Sequence, residues 1–210
     1  MKLADYDFMT SMSFHTRCLY LCFALCSVRN RYYLVWTLAE CIHNSIGIGY
    51  DHEKKDWSGI VSIRPLKLEF GTNSTDYLRY WNIQTNKWLR YVVYERTSRK
   101  YNTFLTFALS AVWHGFYPGD YLFYINHALL VTSHRKLKKS IFPKLEKRPF
   151  LHRIQKILSW PVYALVMNYM GPPFIFKNIF PHSFSQMKSF YFLGHFATAF
   201  VILLPLDKFL

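Results

Sequence analysis

Acidic residues are scarce in this sequence. Its 210 residues include 12 Asp and Glu against 26 Lys and Arg, which gives a formal net charge of +14. An excess of positive charge of this size can indicate nucleic-acid binding. Here, however, residues 134–156 hold nine Lys and Arg and only one acid, Glu146, between two apolar segments. A short basic segment of this kind is typical of a cytoplasmic loop that faces anionic lipid, so we expect a membrane-lipid partner and no nucleic acid.

Cysteine is scarce as well, and its four copies do not suggest a disulfide framework. Cys18, Cys22 and Cys26 recur every four residues, which places them on one face of a helix. Thiols in that arrangement can be acylated or can bind a metal, but no nearby His or carboxylate completes a tetrahedral site. Packing against a neighbouring helix explains them better, and we expect no metal.

Three signals of common function classes are missing. The sequence has no Ser nucleophile motif, which disfavours covalent hydrolase chemistry, and no Gly-rich phosphate loop. It also has no secretory signal, because Asp5 and Asp7 interrupt the early region and Arg17 delays the first apolar block. We interpret residues 1–30 as an incomplete N-terminal membrane segment.

Apolar residues, in contrast, are plentiful: 51% of the chain is hydrophobic and 20% is aromatic. They form blocks with almost no charge, at residues 19–28, 32–50, 103–113, 121–132, 157–170 and 189–206. Crossing a bilayer takes roughly 20 apolar residues, which only 32–50 and 189–206 approach, so several helices should be short, broken or tilted. We predict an all-α, polytopic integral membrane protein with about five or six membrane-embedded helices.

Two segments place polar residues on a predicted helix. Glu40, His43 and Asn44 share one helix face, where we expect structural hydrogen bonds or, as the second choice, the lining of a cavity. Residues 81–96 form a Trp-rich amphipathic pattern, which is typical of a helix that lies in the membrane interface.

His114 is the most informative position. Residues 103–114 predict a short apolar helix of about 18 Å, and half the hydrocarbon thickness is about 15 Å, so His114 should lie near the bilayer midplane. Gly115, Pro118 and Gly119 then end the helix, and irregular backbone at that depth requires protein or a water-filled cavity beside it. Three interpretations stay open: a structural hydrogen bond to a neighbouring helix, a general base acting on a bound alcohol, or a proton relay in a transporter.

Two ordered motifs then resemble a known family. Residues 81–85 (WNIQT), 88–90 (WLR) and 94–96 (YER) precede residues 110–119 (SAVWHGFYPG). Together they are similar to the membrane-bound O-acyltransferase family, and in particular to its lysophospholipid acyltransferase branch. The Trp-Asn and Trp-His-Gly elements are specific in combination, and the resemblance covers about residues 30–210.

The resemblance implies a fold and an activity. It implies that residues 31–210 are the C-terminal catalytic half of an acyltransferase domain with a partial family fold, in a multi-pass protein of the endoplasmic reticulum membrane. It implies that His114 is the catalytic base and Asn82 its partner. The reaction would transfer an acyl group from acyl-CoA, as co-substrate, to the free hydroxyl of a lysophospholipid, with no permanently bound cofactor.

Alternatives to this activity also follow from the resemblance. Family members are longer than this chain and have additional membrane helices before the matched region. Pairing with another chain is therefore expected to be possible, and a truncated, non-catalytic regulator of a full-length relative is the main alternative function. A family member that acylates a sterol or a protein is a third.

Overall fold

The structure, a computed structural model, describes residues 2–178 and 180–205. Within these ranges every regular element is a helix, apart from one isolated antiparallel bridge between Asp51 and Asp56. The helices are α1 (Tyr6–Ser11), α2 (Phe14–Ser45), α3 (Pro65–Glu69), α4 (Ser74–Tyr80), α5 (Ile83–Leu89), α6 (Asn102–His114), α7 (Pro118–Ser140), α8 (Phe142–Glu146), α9 (Pro149–Met170), α10 (Pro172–Phe176), α11 (Phe180–Ser189) and α12 (Leu193–Leu203); a π-helical turn, Arg90–Tyr94, continues α5. The predicted all-α class is confirmed.

The first two apolar blocks form a single helix, α2, which is 32 residues long. Ser13 begins it, because its side-chain oxygen accepts a hydrogen bond from the backbone N–H of Thr16 (3.3 Å). The helix continues through the charged positions between the blocks, where Arg29 is paired with Glu69. α2 therefore passes without interruption through residue 30, and the predicted division of the chain at that position stays a prediction.

The helix predicted before His114 is present as α6, and it ends at His114. Gly115 follows with φ +115°, a conformation that side chains rarely adopt. Pro118 then occupies the first turn of α7, where its missing N–H costs nothing. α7 contacts α6, α10 and α12, so the irregular turn at Gly115 lies between two closely packed helices.

The basic segment 134–156 is mostly helical, and the prediction of a loop there was wrong. Its first part belongs to the end of α7, α8 lies in its middle, and α9 begins at Pro149. The last turns of α7 are fixed by contacts that the charge pattern does not show. The Lys136 ammonium donates to the backbone carbonyls of Ile202 (2.7 Å) and Leu204, which satisfies the C-terminus of α12.

The last apolar block is divided rather than continuous. α11 ends at Ser189, Tyr191 and Phe192 follow with φ near +54°, and α12 covers only 11 residues. The prediction that residues 189–206 approach a full span was therefore wrong, and residue 206 lies outside the described ranges. Across the described residues, no helix combines the length and the apolar character that crossing a membrane requires.

Two clusters of buried apolar side chains hold the helices together. The larger one joins α1, α2, α9 and α11 through, among others, Leu21, Leu25, Met170 and Met187. The smaller one joins α2 to the segment before α4 through Tyr33, Ile63 and Leu68. Trp81 packs on the smaller cluster, so this cluster supports the turn at which α4 ends and α5 begins.

Candidate active site

A cavity of about 200 Å³ lies among α2, α4, α5, α6, α7, α9 and α10. Asn82 and His114 both line it, although they are 32 positions apart in the sequence. Aromatic rings form much of the remaining wall, including Trp36, Trp81 and Phe174. The structure therefore brings the two residues that the resemblance singled out to one cavity.

His114 is presented to this cavity by the end of α6. Its half-buried ring lies edge-on to Phe174 (centroids 5.3 Å apart) and near Tyr124 (5.4 Å). Among the described residues, no hydrogen-bond partner is found for either ring nitrogen. Of the interpretations left open by the sequence, a hydrogen bond to a neighbouring helix is thus not seen, and the imidazole keeps its full capacity for a ligand.

Asn82 lies in a tight turn between α4 and α5 with φ 46° and ψ 53°. Asn tolerates this left-handed conformation better than most residues. The turn is fixed from both sides: the Asn86 amide donates to the carbonyls of Leu78 and Trp81 (2.6 Å each), and the backbone N–H of Ile83 donates to Ser62 (2.8 Å). The Asn82 side chain makes no hydrogen bond in the described part of the chain. The turn therefore holds its amide at the cavity, and the amide can still bond to a ligand.

A second group of polar side chains on the cavity wall is fully paired. Arg29 of α2 donates to both carboxylate oxygens of Glu69 (2.8 and 2.7 Å) and to the side-chain oxygen of Asn168 on α9 (2.7 Å). The Tyr33 hydroxyl also donates to Glu69. Burial raises the pKa of Glu69, but the hydrogen bonds and charge of Arg29, together with Tyr33, outweigh burial and hold this pKa below its ordinary value.

The sequence prediction missed this group. Arg29 lies between the apolar blocks 19–28 and 32–50, and the sequence analysis assigned it no role. Its partner Glu69 is 40 positions away, and no local pattern connects them. The same limit applies to Arg135, which also lines the cavity and whose guanidinium donates to the Thr103 hydroxyl (2.5 Å).

The polar face of α2 predicted at residues 40–44 is not part of the described cavities. His43 is exposed, and its Nδ1 lies 2.6 Å from the backbone carbonyl of Ala39, one turn earlier in its own helix. The expected structural hydrogen bond is thus present for His43, whereas the second choice, cavity lining, is not observed. Cys18 packs against the larger apolar cluster, and the Cys22 sulfur accepts a hydrogen bond from Asn168 (3.6 Å).

A second, more apolar cavity of about 330 Å³ lies between α7, α9 and α12. Its lining includes the apolar residues Leu130, Leu158 and Val201 and also polar residues such as His134. Tyr163 borders both cavities. The two spaces are therefore separated, in part, by a single aromatic side chain.

Comparison with known proteins agrees with the motifs. Residues 2–203 match the sequence model of the membrane-bound O-acyltransferase family. The chain is 36% identical over 208 residues to lysophospholipid acyltransferase 6 of Drosophila melanogaster, covering 97% of this chain and 28% of that protein. It is 34% identical over 209 residues to membrane-bound glycerophospholipid O-acyltransferase 2 of Rattus norvegicus (97% and 40%), and 32% identical over 192 residues to the lysophospholipid acyltransferase of Schizosaccharomyces pombe (84% and 37%).

The chain thus spans between about a quarter and two fifths of the length of these relatives. The match nevertheless extends over almost all of its own residues, including both motifs and the whole cavity. On this evidence, the chain belongs to the membrane-bound O-acyltransferase family.

Proposed function

We propose that this chain carries the catalytic residues of a lysophospholipid acyltransferase. The reaction transfers an acyl group from acyl-CoA to the free hydroxyl of a lysophospholipid. One observation carries the proposal. Asn82 and His114, the residues that the family resemblance singles out, line the same cavity. Neither side chain forms a hydrogen bond with any described residue, so both can bind a ligand. The relatives are named as acyltransferases of lysophospholipids and glycerophospholipids, and these names support the substrate class.

In the proposed mechanism, His114 accepts a proton and Asn82 stabilises the negative charge that develops on the substrate. A neutral imidazole nitrogen of His114 accepts the proton of the lysophospholipid hydroxyl, and the oxygen attacks the thioester carbonyl. The Asn82 amide donates to the carbonyl oxygen as negative charge develops there. The carbon–sulfur bond then breaks, and the CoA sulfur leaves with the proton from the imidazolium. The products are the acylated phospholipid and free CoA, and the imidazole returns to its neutral form.

We place the chain in the endoplasmic reticulum membrane as part of a multi-pass protein. The support is the surface: large apolar side chains are exposed along three helices, as at Phe23 and Leu34 of α2, Ile157 of α9, and Phe200 and Leu203 of α12, which are 65–81% exposed. A soluble surface rarely carries apolar side chains in such continuity. Lipid, or the further helices of a second chain, would cover these faces, and pairing with another chain is part of the proposal.

An assay in microsomes tests the function. The chain is expressed in cells that lack endogenous lysophospholipid acyltransferase activity, and isolated membranes receive labelled oleoyl-CoA with lysophospholipids of different headgroups. We expect labelled phospholipid above the level of empty membranes. Correct membrane insertion with no transfer to any lysophospholipid would contradict the proposal and favour a non-catalytic regulator, which coexpression with a full-length relative would then reveal as a change in the relative's activity.

Transfer of the label to sterol or protein instead would favour another branch of the family. The same samples measure all three products, because solvent extraction separates labelled protein from lipid, and thin-layer chromatography then separates sterol ester from phospholipid. The assay therefore decides the acceptor class as well as the presence of activity.

A further inference from the structure

The charges on the cavity wall leave one cation without a counter-ion. Three acidic or basic side chains line the cavity, counting Asp, Glu, Lys and Arg: Arg29, Glu69 and Arg135. Arg29 and Glu69 neutralise each other through two hydrogen bonds. Arg135, an exposed residue at the edge of the cavity, forms no ion pair within the described residues. The cavity therefore offers one uncompensated positive charge, which favours a ligand that carries a negative group.

Arg135 belongs to α7, and two contacts position its guanidinium beside the first turn of α6. One guanidinium nitrogen donates to the Thr103 hydroxyl (2.5 Å), and the guanidinium lies over the Tyr94 ring (5.9 Å to its centroid). These two contacts use one N–H group and one face of the guanidinium, so its other N–H groups remain available to a ligand. A planar guanidinium with free N–H groups suits the paired oxygens of a phosphate.

The distance from this charge to His114 discriminates between two phosphate-bearing substrates. Thr103 and His114 stand at opposite ends of α6, and eleven residues of helix separate them by about 17 Å. In a lysophospholipid, about four bonds join the free hydroxyl to the phosphorus, which is roughly 5 Å at about 1.2 Å per bond of extended chain. In acyl-CoA, about thirteen bonds join the thioester sulfur to the first phosphorus, which is roughly 16 Å.

We propose that Arg135 binds a phosphate group of acyl-CoA and positions its thioester at His114. This inference rests on the proposed function, because it takes acyl-CoA as the donor. The pantetheine arm of the donor then runs along α6 through the cavity, and the lysophospholipid phosphate, which cannot reach from His114 to Arg135, binds elsewhere. Arg135 is a positioning residue and takes no part in the bond changes.

Kinetics with two variants and a matched control test the assignment. Arg135→Gln removes the charge, whereas Arg135→Lys keeps it with less favourable geometry. Lys139→Gln is the control, since Lys139 lies one turn further along α7 and is exposed like Arg135, but does not line the cavity. We expect Arg135→Gln to raise the KM for acyl-CoA roughly tenfold, with an unchanged kcat and an unchanged KM for lysophospholipid. Arg135→Lys should be intermediate, and Lys139→Gln should match the wild type.

A binding measurement makes the result independent of catalysis. In detergent, CoA should raise the melting temperature of the wild type and of Lys139→Gln more than that of Arg135→Gln. Pantetheine, which has no phosphate, should act equally on all three proteins. CoA binding that depends on Arg135 in a chain without transferase activity would support this inference while refuting the proposed function.

Three results would overturn the assignment. A raised KM for lysophospholipid in place of acyl-CoA would assign Arg135 to the acceptor instead. Equal effects of Arg135→Gln and Lys139→Gln would indicate a general effect of surface charge. Wild-type protein that CoA does not stabilise would show that the cavity has no phosphate site for the donor.

Discussion

Two groups of polar side chains line different parts of the same cavity, and one group is paired while the other is not. On the wall formed by α2, α3 and α9, Arg29, Glu69 and Asn168 are bonded to one another. On the wall formed by α6 and the turn before α5, the side chains of His114 and Asn82 have no partner among the described residues. Buried polar groups are normally paired, so unpaired groups beside a cavity indicate a place for a ligand. The paired wall should therefore control stability, and the unpaired wall should control chemistry.

The largest effect expected is on the unpaired wall, at His114. His114→Ala should lower acyl transfer about a thousandfold, because general base catalysis contributes roughly that factor. The melting temperature should change little, since the ring has aromatic neighbours but no hydrogen bond to lose. Labelled phospholipid formation and thermal unfolding of the same preparation measure the two quantities.

His43→Ala is the matched control for this variant. His43 is exposed and bonded only to the backbone of its own helix, so its removal should leave transfer unchanged. Equal activity of His114→Ala and wild type would end the assignment of His114 as base.

Asn82 should give the next largest effect, and its backbone allows a sharp test. Asn82→Gly deletes the side chain but accepts φ 46° freely, so transfer should fall about a hundredfold while the melting temperature is kept. Asn82→Ala should lose the same activity and also about 1 kcal/mol of unfolding free energy, because Ala adopts the left-handed conformation less readily than Asn or Gly. Full activity in Asn82→Gly would show that only the turn, and not the amide, matters.

The two walls also differ in how far the sequence predicts them. The end of α6 and the position of His114 follow from local signals, namely an apolar helix followed by Gly115 and Pro118. Asn82 was identified by its motif, and the structure adds the left-handed turn that presents it. The signals for the end of α6 lie within a few residues of His114, and this helix end was predicted correctly.

The paired wall depends on contacts between distant residues, which local patterns do not encode. The pairing of Arg29 was not predicted, because its partner Glu69 is 40 positions away. The basic segment was taken for a loop because the contacts of Lys136 with the end of α12 lie 66 and 68 positions away. Periodicity predicts which helices form; it does not predict where a buried charge finds its counter-ion.

Substitutions in the paired wall should change the stability of the fold rather than the rate of acyl transfer. Glu69→Gln leaves the largely buried Arg29 without its counter-ion and should lower the free energy of unfolding by about 2 kcal/mol. Glu95→Gln is the control: it removes a carboxylate at the same distance from an arginine, 2.7 Å from Arg90, but at an exposed site, so it should cost less than about 0.5 kcal/mol. Denaturant unfolding in detergent compares them, and equal losses would contradict the division between the walls.

The smallest effect expected is the pH dependence of the Glu69 contribution. The folded protein holds the pKa of Glu69 below its ordinary value, which is near 4.3 for an unfolded chain. A carboxylate whose pKa is lower in the folded than in the unfolded chain stabilises the folded state. This contribution is complete above the unfolded pKa and is lost as the pH falls through the folded pKa. The difference in melting temperature between wild type and Glu69→Gln should therefore be constant above about pH 5 and shrink below pH 4. A difference that stays the same at pH 7 and below pH 4 would mean that the Arg29–Glu69 pair does not stabilise the carboxylate, and the paired wall would then owe its stability to packing alone.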